Sequence, residues 1–162
     1  MPAHPFRQMS KGAQMKDELT IRNAWPTDLD AIISLDQVTT KEAKPEYWRN
    51  ILSHYLTGDS KNRLILIAQI DAKVIGFIVG EVRAWEYGSP PCGWVFALAV
   101  SPEARKMGIG TSLYLEIATR WEQAGVATLR TMADRDDKPT LSFFRSMGLR
   151  TGSFIELEMQ LD

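Results

Sequence analysis

Apolar residues in the first half of the chain change between a spacing typical of strands and one typical of helices. Residues 19–22 alternate apolar and polar, which predicts a short first strand. Two stretches with helical spacing follow, one opening at Pro26 with acidic residues in its first turn and one beginning near Pro45. Residues 64–68 and 74–79 are apolar runs separated by a short polar turn, which predicts a hairpin of two strands.

The fourth predicted strand, residues 94–100, is apolar on both faces, so we expect it inside the sheet. Alternation divides its side chains between two faces, with Trp94, Phe96, Leu98 and Val100 on one and Val95, Ala97 and Ala99 on the other. Gly76 and Gly80 in the preceding strand predict a bulge or the close approach of a ligand.

The remaining elements alternate between helix and strand. A helix buries Leu113, Ile117 and Trp121, and a fifth strand covers residues 126–132. Because strand–helix–strand connections are right-handed, the fourth and fifth strands are expected to run parallel. A fourth helix is capped by Asp137 and ends at Gly148, and residues 154–159 alternate like a last strand.

Composition limits the function classes. The chain of 162 residues fits one domain, with residues 1–16 as a flexible N-terminal extension and residues 17–162 as the folded unit. A formal net charge of −1 argues against broad nucleic-acid binding. No apolar run reaches the ~18 residues that cross a bilayer, so we expect a cytoplasmic protein without membrane contact. Cys92 is the single cysteine and is expected to be structural, and His4 and His54 lack metal-ligand spacing.

The strongest chemical signal lies between the fourth strand and the helix after it. The strand stops at Ser101-Pro102, a turn with two cations and two glycines follows, and a helix begins directly afterwards. Glycines let the backbone approach an anion closely, and a helix N-terminus offers free N–H groups with partial positive charge. An isolated Gly-x-Gly is usually only a tight turn, but this combination predicts a phosphate or pyrophosphate site.

Two other phosphate loops fit poorly. A dinucleotide fingerprint needs a third glycine where Leu113 stands, and a Walker loop needs a lysine after Gly110.

The pattern Arg105-x-x-Gly108-x-Gly110 after the strand end 98–100 resembles motif A of the GNAT superfamily of acyl-CoA-dependent N-acetyltransferases. The resemblance extends from about Leu19 to the C-terminus, since the predicted elements follow the family's order. It implies an α/β fold with a mixed, mostly antiparallel sheet, a parallel central strand pair that splays apart, and about four flanking helices. It also implies acetyl-CoA as cosubstrate and no metal.

The resemblance further implies which residues contact coenzyme A. In the family the turn wraps the pyrophosphate, and the preceding strand hydrogen-bonds the pantetheine arm. The matching positions are Leu98, Ala99, Val100, Arg105, Lys106, Met107, Gly108, Ile109, Gly110 and Thr111. A backbone N–H near Leu98, in the gap between the splayed strands, could stabilise the developing oxyanion, an effect of a few kcal/mol.

The general base is harder to place. Family members that acetylate protein N-termini often carry an acid at the end of the fifth strand, but that position is Met132. Asp134, two residues further, and Glu81 on the third strand are the two candidates. A proton path through water would need neither.

The chain departs from the family in the fourth helix. The family pattern Asn-x-x-Ala-x-x-x-Tyr supplies a tyrosine that protonates the leaving thiolate, whereas here Asp137 stands at the asparagine and Phe144 at the tyrosine. Both positions imply contacts with coenzyme A, but Phe144 offers no hydroxyl. A thiol pKa near 8.5 still allows unassisted departure.

The sequence therefore predicts an N-acetyltransferase that moves an acetyl group from acetyl-CoA to a primary amine by direct attack. One alternative is the same chemistry on a protein N-terminus or lysine, so the acceptor is a small-molecule amine or a peptide. The other is a non-catalytic acyl-CoA-binding module, which Phe144 and Met132 make credible. Many members of the family form dimers, so the resemblance admits a homodimer. The loop 85–87 is a further hypothesis for acceptor contact.

Overall fold

The computed structural model describes residues 18–58 and 61–162, so the predicted N-terminal extension, residues 1–16, and His4 lie outside the described residues. The strands and α-helices in chain order are β1 (Thr20–Asn23), α1 (Leu29–Thr40), α2 (Pro45–Tyr55), β2 (Arg63–Ile70), β3 (Lys73–Arg83), β4 (Cys92–Val100), α3 (Ile109–Gln123), β5 (Leu129–Thr131) and α4 (Lys138–Ser146).

The strands form one five-stranded sheet in the order β1-β2-β3-β4-β5. The first three pairings are antiparallel, and β4 and β5 are parallel, as the right-handed crossover through α3 requires. The predicted fold class, a mostly antiparallel mixed sheet with four helices, is confirmed. The parallel pairing is short, because β5 contacts β4 only opposite residues 93–95.

Helices cover both faces of this sheet. On one face, α3 and α4 bury their apolar side chains, including Leu113, Ile117, Trp121 and Phe144, against β2, β3 and β4. On the other face, α1 and α2 pack Ile32, Trp48 and Leu52 against a second apolar cluster. The sheet therefore separates two cores.

Trp121 of α3 packs on the sheet where two glycines lie side by side. Its indole is only 2% exposed. A Cβ added at Gly80 would lie 2.4 Å from the ring, and one added at Gly93 would lie 2.1 Å from it. Both glycines are therefore required by packing, and Gly80 also stands at the predicted bulge, where the β3–β4 register shifts.

The bulge changes the predicted faces of β4. The N–H of Gly93 donates to Thr128 on the β5 side, but the N–H of Ser101, eight residues later, donates to Ile75 on the β3 side. Along a regular strand, the N–H groups of residues an even number of positions apart point to the same neighbouring strand. Because Gly93 and Ser101 are an even number apart but donate to opposite sides, β4 contains one extra residue between them. That residue is near Phe96, whose ring contacts Tyr55 of α2.

The prediction that Trp94, Phe96, Leu98 and Val100 share one face is therefore wrong. Leu98 and Val100 pack with Val95 on the α3 side, whereas Phe96 faces α2 together with Ala97. A one-residue bulge reverses the alternation of every later residue, and only the partner strand reveals it.

The predicted last strand, residues 154–159, is also wrong. These residues carry no strand pairing and are exposed, including Ile155, Leu157 and Met159. Arg130 of β5 lies over the ring of Phe154, 4.9 Å from its centroid. Period-two alternation favours a strand, but a strand forms only where its backbone groups find a partner, and none of the described strands pairs with this segment.

Two buried carboxylates position the first two helices. Asp28 accepts hydrogen bonds from Nη1 and Nη2 of Arg22 at 2.8 and 2.9 Å and from the Trp25 N–H at 2.6 Å. Burial raises the pKa of Asp28, but these hydrogen bonds outweigh it and lower the pKa overall. Asp36 accepts the Trp48 indole N–H at 2.8 Å, which joins α1 to α2.

Across residues 18–58 and 61–162, every helix is too short or too polar to cross a bilayer.

Candidate active site

The predicted anion turn ends in an α-helix whose first N–H groups lack acceptors. Gly108 adopts φ 74°, a conformation that favours glycine, and caps α3 without a side-chain hydrogen bond. The first intrahelical bond runs from the Ser112 N–H to the Gly108 carbonyl at 3.0 Å. The N–H groups of Ile109, Gly110 and Thr111 therefore have no acceptor within the helix.

Three side chains of this turn are exposed, and a fourth is buried. Arg105, Lys106 and Met107 are exposed, whereas Ile109 is 1% exposed and anchors the turn in the core. A Cβ added at Gly110 would meet only the Phe143 ring at 3.5 Å and Val100 at 3.8 Å, which are ordinary contacts. Packing within the protein therefore does not require glycine at this position. The residues fit the pyrophosphate of coenzyme A.

Next to this turn, β4 separates from β5. Because the Ser101 N–H faces β3, those of Ala99 and Ala97 do so too, and those of Leu98 and Val100 face the opposite side. On that side β5 no longer pairs with β4, since its last paired residue is Thr131, opposite Val95. The bulge thus directs the Leu98 and Val100 N–H groups into the gap that begins where the β4–β5 pairing ends.

A cavity of about 460 Å³ lies on the α2 side of the same region. Its walls come from α2, the start of β2, and the facing parts of β3 and β4. The residues used below are Tyr47, Tyr55, Arg63, Glu81, Arg83 and Phe96. Phe96 lines the cavity and stands where the β4–β5 pairing ends, so the cavity and the gap between the strands adjoin.

Glu81 is the carboxylate of this cavity and has two hydrogen-bond partners. The Tyr55 hydroxyl donates to one oxygen at 2.8 Å, and Arg83 Nε donates to the other at 3.1 Å. Burial, followed by the bond and the charge of Glu81, raises the pKa of Tyr55. Tyr55 therefore stays protonated and keeps donating to Glu81 at physiological pH.

Asp134, the second candidate for the base, and Asp137 both lie near the start of α4, away from this cavity. Asp134 is exposed in the turn before α4, where its carboxylate accepts the Asp136 N–H at 2.8 Å. Asp137 caps α4, as predicted, by accepting the Thr140 N–H at 3.1 Å and the Thr140 hydroxyl at 2.6 Å. These bonds lower the pKa of Asp137. The structure does not bring Asp134 together with Glu81 in the cavity.

Phe144 occupies the position of the family's tyrosine and is 8% exposed in the α3–α4 core. The neighbouring Phe143 ring, not Phe144, is the aromatic group nearest to Gly110. The two rings pack edge to face with centroids 5.2 Å apart. Phe144 thus fills apolar space and supplies no proton.

No sequence pattern assigns a role to Arg63 or Arg83. Of the aromatic residues in α2, Tyr55 lines the cavity, whereas Trp48 is buried in the core. The strand register pairs Arg63 directly with Glu81 across β2 and β3, a signal that no sequence pattern contains. In the loop 85–87, Trp85 is 68% and Tyr87 98% exposed.

Cys92 is buried, as a structural cysteine should be. Among the described residues, no group of three histidine, cysteine or acidic side chains could hold a metal ion.

The chain belongs to the acetyltransferase (GNAT) family, because the model of that family matches residues 29–149. This match covers most of the chain and includes every element from α1 to α4. The resemblance carried by motif A is thereby confirmed.

Curated relatives include several acetyltransferases. An L-2,4-diaminobutyric acid acetyltransferase from Nocardia farcinica is 31% identical over 88 residues, which are 54% of this chain and 44% of that protein. An N-alpha-acetyltransferase from Sulfurisphaera tokodaii is 29% identical over 115 residues, which are 67% of this chain and 63% of that protein. The chain thus spans less than two thirds of either relative.

A solved structure supports the fold. Aminoglycoside N-acetyltransferase AAC(6')-Iy in complex with CoA aligns with a TM-score of 0.76 and 15% identity, covering 88% of this chain and 95% of that one. At this identity the likeness concerns the fold alone.

Proposed function

We propose that this chain is an acetyl-CoA-dependent N-acetyltransferase whose acceptor is a primary amine. Family membership supports the reaction class. The single observation that carries the proposal is the adjacency of three features, namely the anion turn, the gap between β4 and β5, and a cavity with a carboxylate. Phe96 borders both the gap and the cavity, so an acceptor in the cavity would lie beside a cosubstrate in the gap.

The turn and β4 would hold the cosubstrate. The first-turn N–H groups of α3, with Arg105 and Lys106, suit the pyrophosphate, and the backbone of residues 98–100 suits the amides of the pantetheine arm. Acetyl-CoA would supply the acetyl thioester. The Leu98 N–H points into the gap and would donate to the thioester carbonyl oxygen as negative charge develops there.

Glu81 is the base that we propose for the acceptor. A lysine-type amine has a pKa near 10.4, so it must lose a proton before it attacks. Glu81 is half-buried, and its hydrogen bonds from Tyr55 and Arg83 fix its orientation. It would take the proton directly or through one water. Asp134 is the weaker candidate, because its carboxylate is exposed in a turn.

The acceptor that we favour is a small-molecule amine, which is the class that the diaminobutyric acid acetyltransferase is named for. A protein N-terminus is the second candidate, because the other relative is named an N-alpha-acetyltransferase. Cytoplasmic location and a homodimer stay predictions.

Acetyl transfer by a Glu81→Gln variant tests the proposal. With acetyl-CoA and a panel of small amines and peptides, kcat should fall by about 100-fold, the usual contribution of a general base, while CoA affinity stays unchanged. Glu86→Gln is the matched control, since Glu86 lines the neighbouring recess and not the cavity. A variant as active as the parent would remove Glu81 from the mechanism. A parent that binds acetyl-CoA but acetylates nothing would favour the binding-module alternative.

A further inference from the structure

The charged side chains that line the cavity carry a net positive charge. Arg63, Glu81 and Arg83 line it, and Glu81 forms an ion pair with Arg83 at 3.1 Å. Arg83 also lies over the Trp94 ring, 5.1 Å from its centroid, which fixes its guanidinium against the sheet. Arg63 is therefore the positive charge in excess.

Arg63 is placed to act together with Glu81. The two residues are direct partners in the β2–β3 register, so their side chains project from the same face of the sheet. The Arg63 guanidinium lies 5.8 Å from the centroid of the Tyr55 ring, and the Tyr55 hydroxyl holds Glu81. A cation and a carboxylate thus stand side by side around one tyrosine.

Arg63 forms no ion pair with a carboxylate in the part of the chain that the structure describes, where the ion pairs involve other residues. Glu86 lies in the adjoining recess with Arg63 but forms no ion pair with it there. A guanidinium that faces a cavity without a carboxylate partner among the described residues is suited to bind a ligand anion.

We infer that the acceptor is an amino acid, with Arg63 binding its carboxylate while Glu81 receives its reacting amine. The inference rests on the proposed acetyl transfer and names its substrate class. Arginine binds carboxylates through two parallel N–H bonds, which fixes the orientation of the acceptor as well as its affinity. A polyamine would bring more positive charge to a cavity that already has an excess of it.

Pairs of amines that differ only in a carboxylate test the inference. We would measure kcat/KM for lysine against cadaverine, ornithine against putrescine, and 2,4-diaminobutyrate against 1,3-diaminopropane. The amino acid of at least one pair should be preferred by about tenfold or more, the value of one charge-assisted hydrogen bond. Arg63→Gln should bring the ratio close to one by raising the KM of the amino acid and lowering that of the diamine, because it removes the excess positive charge.

Two further variants distinguish the loss of carboxylate binding by Arg63 from a general loss of activity. Arg63→Lys keeps the charge but not the paired N–H geometry, so it should retain part of the preference. Arg49→Gln removes an equivalent charge from the exposed side of α2, where Arg49 pairs with Glu46, and should retain the full preference.

The outcomes distinguish this inference from the proposal beneath it. Acetylation of diamines and amino acids without preference, or a preference that survives in Arg63→Gln, would overturn the role of Arg63 and leave acetyl transfer standing. Failure of the parent to acetylate any member of any pair or any other amine would overturn both.

Discussion

At the scale of single residues, Phe144 is the clearest departure from the chemistry of the family. Its ring is buried between α3 and α4, and it stands where the family's pattern has a tyrosine. A proton for the leaving thiolate must therefore come from water or another group, or the thiolate leaves unassisted. A thiol pKa near 8.5 makes unassisted departure least favourable at low pH.

Phe144→Tyr should therefore accelerate acetyl transfer. A hydroxyl at this position would act as a general acid, with a gain of up to about 100-fold where thiolate departure limits the rate. The gain should be larger at low pH. The measurement is kcat across pH for the variant, the parent and Phe154→Tyr, which makes the same chemical change at an exposed ring. Equal rates in all three would mean that the sulfur is already protonated by water or another group.

The role of a residue can be predicted best from sequence where it depends only on residues nearby in the chain. The cap at Asp137 and the glycine at Gly108 follow from the residues beside them in the chain. The surroundings of Glu81 do not, because Tyr55 and Arg63 come from other elements and meet it only after the sheet and α2 have packed.

At the scale of elements, the contact of α3 with the sheet depends on Trp121 and the two glycines beneath it. Gly93→Ala should lower the free energy of unfolding by about 1–3 kcal/mol, the usual cost of overpacking. The added Cβ would lie 2.1 Å from an indole that is 2% exposed and has no room to move. Denaturant titration measures the change.

The control for this prediction is Gly152→Ala, where a Cβ meets nothing within 4 Å. In a Trp121→Leu background Gly93→Ala should cost less free energy of unfolding than in the parent, because the clash is with the indole. A Gly93→Ala protein as stable as the parent would contradict the packing described for α3.

The sequence patterns predict two strand segments wrongly, because the structure of a strand depends on the strands that pair with it. Alternation in β4 is genuine, but the bulge near Phe96 reverses it, and the bulge is set by the register with β3. Residues 154–159 have the period of a strand, yet they lie outside the sheet. Helices were predicted more accurately, since their hydrogen bonds are internal and their caps are local.

At the scale of the whole molecule, β4 is the strand around which the site is organised. Its end leads into the anion turn, the N–H groups of Leu98 and Val100 face the gap beside β5, and Phe96 borders the cavity on the α2 side. The order of elements and the right-handed crossover were predictable because chain direction and short connections fix them. The cavity was not, since its walls come from four separate elements.

The proposed function depends first on the turn from Arg105 to Gly110, which we propose binds the pyrophosphate of coenzyme A. The most direct measurement is calorimetric titration of CoA into the parent, Gly110→Glu and Gly152→Glu. A side chain at Gly110 meets only ordinary contacts, so Gly110→Glu should keep the parent's thermal midpoint. It should nevertheless bind CoA at least about tenfold more weakly, because it places a negative charge at the phosphate site, whereas Gly152→Glu should bind normally. A folded Gly110→Glu protein that binds CoA as tightly as the parent would show that this turn does not bind the pyrophosphate.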